Sequence, residues 1–323
     1  MIHNTTALRT HTFAGLQPGP KLLVLGAVHG NEVCGTRGIE RVVAEFDIGE
    51  LALACGQVTF VPITNPLAYQ LQQRMGDRNL NRNLRPSDEP LDYEDRIANV
   101  LCPLLATHDV LLDLHSFHTP GEPFAMLGPR DNSGTLEPFA HAREEEALAV
   151  RLGPRRIVEG WLDTYARGVA NRLAYASADM RAQMLSTDPS YGVGTTEYMR
   201  TQGGYAITLE CGQHADPAAP EVAYEAIHRT LALLGLIDAP APVPHPAPEV
   251  LRLAEVIDRL HPDDSFIKPW KSFDPVKSGE PIGKRHDGNI VTAPRDGFVV
   301  FPNPNSLAGN EWFYFAESSD RVL

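Results

Sequence analysis

The sequence contains few cysteines, and their spacing does not indicate a metal site or a disulfide framework. The 323 residues include four cysteines, at positions Cys34, Cys55, Cys102 and Cys211. They form no C-x-x-C pair, so a zinc site built from cysteines is not indicated. Reduced thiols in a cytosol are the simplest interpretation, and we expect a cytoplasmic protein.

Long hydrophobic runs are also missing. The N-terminal stretch MIHNTTALRTHTFAG lacks an apolar core of signal-peptide length, and no run of about 18 or more apolar residues occurs. The sequence therefore predicts neither a signal peptide nor a transmembrane helix, and we expect no membrane partner.

Positive charge is scarce, with 28 basic against 41 acidic residues and a formal net charge of −13. This balance opposes non-specific binding to DNA, RNA or anionic lipid. We expect no nucleic-acid partner, and we expect a small-molecule substrate whose carboxylate would meet a local cluster of arginines. The sequence leaves homo-oligomer formation open.

Short apolar runs alternate with longer helical patterns along the first two-thirds of the chain. The strand-like runs are KLLVLGAV, QVTFVPIT, DVLLDLHSF and YAITLECG. The helical patterns cover Gly35 to Phe46, Asp92 to Thr107, about Thr164 to Met184, and Pro220 to Leu236. Near-continuous apolar runs are typical of strands covered on both faces. The pattern predicts an α/β fold with a mixed, mostly parallel central sheet flanked by helices.

A proline-rich segment, DAPAPVPHPAPEV, divides the sequence. Alternating prolines favour polyproline II and a semi-rigid spacer. After it come short strand-like pieces separated by glycine, proline, asparagine and aspartate. We predict an α/β domain over residues 1–237, a linker over 238–249 and a smaller all-β C-terminal domain over 250–323.

Histidine and glutamate side chains follow two of the predicted strands. His29 and Glu32 lie in GAVHGNEVCG, directly after one apolar run, and His115 follows another. In open α/β sheets, ligands bind at the carboxyl ends of strands. A catalytic zinc ion takes about three protein ligands and keeps one position open. The three residues together predict one zinc ion per chain.

Each part of this zinc site has a plainer interpretation when taken alone. His29 and Glu32 could be a surface loop pair, and His115 a hydrogen-bonded core histidine. Asp113 precedes His115 by two residues, on the same side of an extended strand, where it could orient a ligand histidine. His118 is a weaker candidate, expected outside the set of ligands.

Glu210 ends the apolar run YAITLECG. A zinc hydrolase also needs a general base that is not itself a ligand, and an idle carboxylate at this position would be costly. We therefore predict that Glu210 is the base. The alternative is a glutamate that caps a helix or lies on the surface.

Arginine and asparagine are concentrated in QQRMGDRNLNRNLRP, residues 72–86. These side chains match carboxylates well and favour an anion pocket. A solvated polar loop is the alternative, which we prefer for Arg78 and Arg85 but not for Asn81 and Arg82. Arg200, close in sequence to Glu210, is a second candidate anion clamp.

Taken in order, HGNE, an arginine followed by NLNR, DLHS and LECG resemble the aspartoacylase and succinylglutamate desuccinylase family, which is related to zinc carboxypeptidases. The motifs span most of residues 22 to 236. The resemblance implies a zinc carboxypeptidase-like catalytic domain, with zinc bound by His29, Glu32 and His115. It also implies that Glu210 is the general base.

Further roles are implied by this resemblance alone. Arg74 would polarise the scissile carbonyl and stabilise its oxyanion, Asn81 and Arg82 would hold the substrate's carboxylate, and Arg200 matches a second carboxylate-binding arginine. The C-terminal β region looks like that of the family, and Tyr314 is a candidate to enter the site from it.

Two features depart from the family pattern. The usual D-L-N-R is N-L-N-R here, beginning at Asn79. The stretch from Phe117 to Tyr198 is long, with additional helical patterns. Its segment HAREEEALAVRLGPRRIVEGW, residues 141–161, predicts a solvated amphipathic helix, which could instead wall the cleft.

Together these features predict a zinc-dependent hydrolase that cleaves an N-acyl amino acid, or a similar small amide, into a carboxylate and an amine. The first alternative is a zinc carboxypeptidase acting on peptides, because the same ligands and base serve both reactions. A second alternative is a non-catalytic protein that binds an acidic metabolite.

Overall fold

The structure is a computed structural model that describes residues 7–175 and 188–323. The strands in these ranges are β1 His11–Ala14, β2 Lys21–Gly26, β3 Gln57–Val61, β4 Val110–Phe117, β5 Phe124–Met126, β6 Arg156–Glu159, β7 Tyr205–Gln213, β8 Glu249–Asp258, β9 Ser265–Phe266, β10 Asp274–Val276, β11 Pro281–Lys284, β12 Ile290–Thr292, β13 Gly297–Val300 and β14 Glu311–Ser318. The α-helices are α1 Cys34–Asp47, α2 Pro66–Leu71, α3 Tyr93–Ala106, α4 Ala142–Ala149, α5 Trp161–Tyr175, α6 Thr195–Thr201 and α7 Ala219–Leu233, and a short 3₁₀ helix covers Pro189–Gly192. No helix within the described ranges has the length and apolar character required to cross a membrane.

Eleven of these strands form one sheet, in the order β1-β3-β2-β4-β7-β5-β6-β8-β14-β13-β10. The central strands β3, β2, β4 and β7 run parallel to one another, and so do β5, β6 and β8. β5 is antiparallel to β7, and the pairs from β8 to β10 are antiparallel. A second sheet has the order β12-β11-β9. The predicted fold class, a mixed sheet with flanking helices and a C-terminal β region, is confirmed.

Helices cover both faces of the central sheet, which explains the unbroken apolar run of β2. Successive strand residues point to opposite faces, so Leu22 and Val24 pack with α1 and α7, whereas Leu23 and Leu25 pack with α3. All four are fully buried. After the exposed Lys21, neither face of β2 is left to water, and polar residues return only where the strand ends.

Three predicted helices agree closely with α1, α3 and α7, whose bounds differ from the predicted ones by three residues or fewer. The predicted helix from about Thr164 corresponds to α5, which begins at Trp161. Its predicted end at Met184 lies outside the described residues.

The prediction of one solvated helix over residues 141–161 was wrong. α4 ends at Ala149, and β6 occupies Arg156–Glu159 inside the main sheet. Gly153, in the turn between α4 and β6, has a φ of 120°, a conformation that suits glycine and not a helix, and a proline follows it. The charges are not all outward either, because Glu145 is fully buried.

The main sheet continues across the predicted linker. β8 begins at Glu249, the last residue of that segment, and pairs in parallel with β6. Arg321, near the end of the chain, donates to Glu159 in β6 at 2.9 Å and to Glu146 in α4 at 2.7 Å. The division of the chain into domains at this point stays a prediction, and a truncated chain can test it.

We expect a chain that ends at residue 237 not to fold cooperatively. Without β8, the edge of β6 has no partner, and Phe124 and Val158 lose the cover of Leu251 and Leu253. Thermal unfolding followed by circular dichroism, with the full chain as control, measures this. A cooperative transition near that of the full chain would show that residues 1–237 form an independent domain.

Candidate active site

The carboxyl ends of β2, β4 and β7 lie side by side in the sheet. Gly26 at the end of β2 is paired with Leu114, and the next residue of β4, His115, is paired with Glu210 of β7. Neighbouring strands are about 4.8 Å apart, so this register places His115 directly beside Glu210. The turn after β2 supplies His29 at the same edge.

The segment after β3 holds the turn that carries His29 through backbone hydrogen bonds. Thr64 and Asn65 donate backbone hydrogen bonds to the carbonyls of Gly26 and Ala27, at 2.9 and 3.0 Å. A Cβ atom on Gly30 would lie 1.9 Å from the carbonyl carbon of Ala68 in α2. Only glycine permits this close approach, which explains the glycine between His29 and Glu32.

His29, Glu32 and His115 form a compact buried cluster. Their ligand atoms all lie within 4.8 Å of one another, and each side chain is 3% exposed or less. Nδ1 of His29 lies 2.9 Å from Oε1 of Glu32, and Nδ1 of His115 lies 2.9 Å from Oε2. The structure therefore brings together the three residues that the sequence predicts as zinc ligands.

The donor set fits a zinc ion. Nδ1 of His29 is buried and forms no hydrogen bond with the part of the chain that the structure describes, although it is close to Glu32. Two imidazole nitrogens and a carboxylate, with room for a fourth ligand, are a common catalytic zinc set. Burial, with the nearby charge of Arg74, lowers the pKa of His29 to about 4, so this imidazole is neutral and able to bind metal.

The other ring nitrogens of both histidines face polar side chains. Nε2 of His29 hydrogen-bonds Oδ1 of Asn79 at 3.0 Å, and Nε2 of His115 lies 2.9 Å from Oδ2 of Asp113. Such contacts fix the ring orientation of metal-binding histidines. Asp113 thus lies where the sequence predicts it. His118 instead hydrogen-bonds the backbone carbonyl of Pro302 at 3.0 Å.

Glu210 faces the cluster with an unused oxygen. It is 8% exposed, and its buried Oε2 atom has no hydrogen-bond partner within residues 7–175 and 188–323. Burial, together with the negative charge of Glu32, raises the pKa of Glu210 to about 8. A carboxyl group in this state can exchange a proton near neutral pH.

Arg74 lies at the solvent side of the cluster. Its Nη1 atom donates to Oε1 of Glu32 at 2.9 Å, while the side chain remains 51% exposed. A guanidinium group has five N–H donors, so most of those of Arg74 are available to a ligand.

Arg82 is held against aromatic side chains of α5. Its guanidinium carbon lies 4.7 Å from the ring centre of Trp161 and 5.3 Å from that of Tyr165. Its Nη1 atom donates to the backbone carbonyl of Asn81 at 2.7 Å. Among the residues that the structure describes, no carboxylate forms an ion pair with Arg82. Helix α5 therefore forms one wall of the cleft.

Arg200 does not present a free guanidinium to the cleft. It forms two hydrogen bonds of 2.9 Å with Glu145 and further contacts with Glu137 and Glu197. The side chain is 3% exposed. The guanidinium that the sequence predicts to bind a substrate anion is thus already paired with the protein's own carboxylates. These belong to acidic residues of the 117–198 region that surround Arg200.

The carboxylate of Glu94 fixes the backbone of the arginine-rich loop, residues 72–86, a role that the sequence did not predict. Glu94 is fully buried and accepts hydrogen bonds from the backbone N–H groups of residues 76, 77 and 78. Arg78 forms ion pairs with Asp92 and Asp95 at 2.8 and 2.7 Å, and Arg85 is exposed. Arg78 therefore stabilises the loop and Arg85 lies at the surface, which agrees with the polar-loop interpretation preferred for both from the sequence.

A cavity of about 1160 Å³ opens beside the cluster. Its lining includes His29, Glu210, Arg82 and Trp161. Tyr314 lines it from β14; the residue is 5% exposed, and its buried hydroxyl has no hydrogen bond to any described residue. The structure thus places Tyr314 where the sequence suggested it could enter.

Residues 18–122 match the family model of the succinylglutamate desuccinylase/aspartoacylase catalytic domain. This confirms the resemblance seen in the motifs. The match contains HGNE, NLNR and DLHS, whereas LECG lies outside it. No curated protein matches the sequence.

Solved structures share the fold over almost the whole chain. A succinylglutamate desuccinylase/aspartoacylase from Rhodobacter sphaeroides has a TM-score of 0.71 at 17% identity, covering 98% of this chain and 90% of that one. The ectoine utilization protein EutE (DoeB) from Ruegeria pomeroyi, in a product-bound structure, gives 0.69 at 18% identity, with 95% and 88% covered. An aspartoacylase family protein from Mesorhizobium loti gives 0.66 at 21%, with 97% and 90% covered.

We expect Arg200→Met to lower the free energy of unfolding by about 3 to 5 kcal/mol, because it leaves the buried carboxylate of Glu145 without its partner. Urea denaturation at pH 7 measures the loss. Arg130→Met is the control, since Arg130 also lines the cavity but is 62% exposed and pairs with the exposed Asp320. Equal stability of the two variants would contradict a structural role for Arg200.

Proposed function

We propose that the protein is a zinc-dependent hydrolase that cleaves the amide bond of an N-acyl amino acid or a related small amide. The observation that carries the proposal is the buried His29, Glu32 and His115 cluster beside Glu210, whose Oε2 atom has no hydrogen-bond partner among the described residues. The family match over residues 18–122 supports the same reaction class. The four cysteines are free, which supports a location in the cytoplasm.

His29, Glu32 and His115 would hold the metal. When bound, a zinc ion supplies Lewis acidity that polarises the amide carbonyl and makes water easier to deprotonate. Glu210 takes the proton of the attacking water and returns it to the leaving amine. Burial raises the pKa of Glu210 to about 8, and the positive charge of a zinc ion held nearby would lower it toward neutral pH, where the group can both take up and release a proton.

Two arginines would act on the substrate. Arg74, half-exposed at the edge of the cluster, donates to the oxyanion that develops on the carbonyl oxygen. Arg82 and Asn81 bind the substrate's carboxylate. The absence of an ion pair to Arg82 in the described part of the chain, and its packing on Trp161, support this assignment.

We expect Glu210→Gln to lower kcat by about 10²- to 10⁴-fold, because the amide keeps the shape of the side chain but cannot accept the proton. Zinc content, measured by elemental analysis, should remain at one ion per chain. Glu144→Gln is the control, since Glu144 is on α4 and 53% exposed. Near-normal turnover in Glu210→Gln would refute the assignment of the base.

A panel of substrates separates the proposed activity from a carboxypeptidase. The cavity, at about 1160 Å³, has room for more than an N-acetyl amino acid, so short peptides are the relevant competitor. We expect larger kcat/KM values for N-acetyl and N-succinyl amino acids than for dipeptides and tripeptides with free C-termini. The reverse order would indicate a carboxypeptidase, and zinc-loaded protein inactive on both classes would favour a non-catalytic binder.

A further inference from the structure

A continuous series of polar contacts joins the two metal-binding histidines on the side away from the metal. It passes through Thr195, the first residue of α6, to Asp113 on one side and to Asn81 on the other. We infer that Thr195 is a positioning residue that holds the ligand His115 and the carboxylate-binding loop in one arrangement. This inference rests on the proposed function.

The first half of the series supports His115. The hydroxyl of Thr195 donates to Oδ2 of Asp113, the same oxygen that lies 2.9 Å from Nε2 of His115. Thr195 and Asp113 are both fully buried. A buried carboxylate needs its hydrogen bonds, so the hydroxyl of Thr195 determines where Oδ2 is held.

The second half supports His29. The backbone N–H of Thr195 donates to Oδ1 of Asn81 at 2.9 Å, and the backbone N–H of Asn81 donates to Oδ1 of Asn79 at 2.9 Å. That same oxygen of Asn79 is 3.0 Å from Nε2 of His29. The NLNR segment therefore contacts a ligand histidine through Asn79 and α6 through Asn81.

The fit between α6 and this segment is close. A Cβ atom on Gly194, which precedes Thr195, would lie 2.0 Å from Oδ1 of Asn81. A larger residue would displace the side chain of Asn81, so the start of α6 packs directly against the loop. Since Asn81 and Arg82 would bind the substrate's carboxylate, metal binding and substrate binding share this set of contacts.

Thr195→Val tests the inference because valine keeps the shape of threonine and removes the hydroxyl. We expect the zinc dissociation constant of metal-stripped protein, measured by competition with a chromophoric chelator, to rise about 10- to 100-fold. Thr195→Ser, which restores the hydroxyl, should return affinity close to the wild-type value. Thr196→Val is the matched control, since Thr196 is the next residue, is 5% exposed and donates instead to Glu197.

The outcomes are distinct. Wild-type zinc affinity in Thr195→Val, or an equal loss in Thr196→Val, would overturn the role of the Thr195 hydroxyl while leaving the proposed function intact. Failure of Thr195→Ser to recover affinity would overturn it as well. Wild-type protein that binds no zinc would refute the proposed function, and the inference with it. Thermal unfolding of each metal-free variant confirms that the folded proteins are being compared.

Discussion

The site is arranged around one buried carboxylate, that of Glu32, which is 1% exposed. Burial alone would raise its pKa, but His29 and His115 lower the pKa well below its usual value. Its oxygens also accept from Nη1 of Arg74 at 2.9 Å and from the backbone N–H of Ser116 at 3.1 Å. An unpaired buried charge is costly, so all these groups must be in place together. Glu32 thereby joins the turn after β2, the end of β4 and the arginine-rich loop.

A second buried carboxylate, that of Glu94, holds the opposite side of the arginine-rich loop. Residues 72–86 contain no helix or strand, so their backbone N–H groups need partners from elsewhere. Glu94, at the start of α3, accepts three of them and also the side-chain amide of Asn65. Asn65 in turn caps α2, against which the HGNE turn packs. The loop is therefore ordered between Glu32 and Glu94, although it has no regular structure of its own.

The sequence predicts those site residues that stand out as polar side chains within or directly after an apolar run. His29 follows a buried strand, His115 and Glu210 lie near the carboxyl ends of two others, and parallel strands bring such positions to one edge. Glu94 and Glu145 give no such signal, because each occupies a helix whose spacing of charges is ordinary. β6 was missed for a related reason: only Ile157 and Val158 are fully buried in it, and charged residues flank them.

The region between β5 and β7 sets the environment of Arg200. Glu145 and Glu137 reach Arg200 from 55 and 63 residues away, a relation that no local pattern contains. Three carboxylates around one guanidinium leave excess negative charge, and burial raises the pKa of Glu137 to about 7 despite the attraction of Arg200. A substrate carboxylate would be repelled there. Under the proposed function, its recognition falls to Arg82, whose guanidinium is fixed by the α5 aromatics Trp161 and Tyr165. Under the proposed function, the region between β5 and β7 thus leaves Arg200 bound to the protein's own carboxylates and Arg82 available to the substrate.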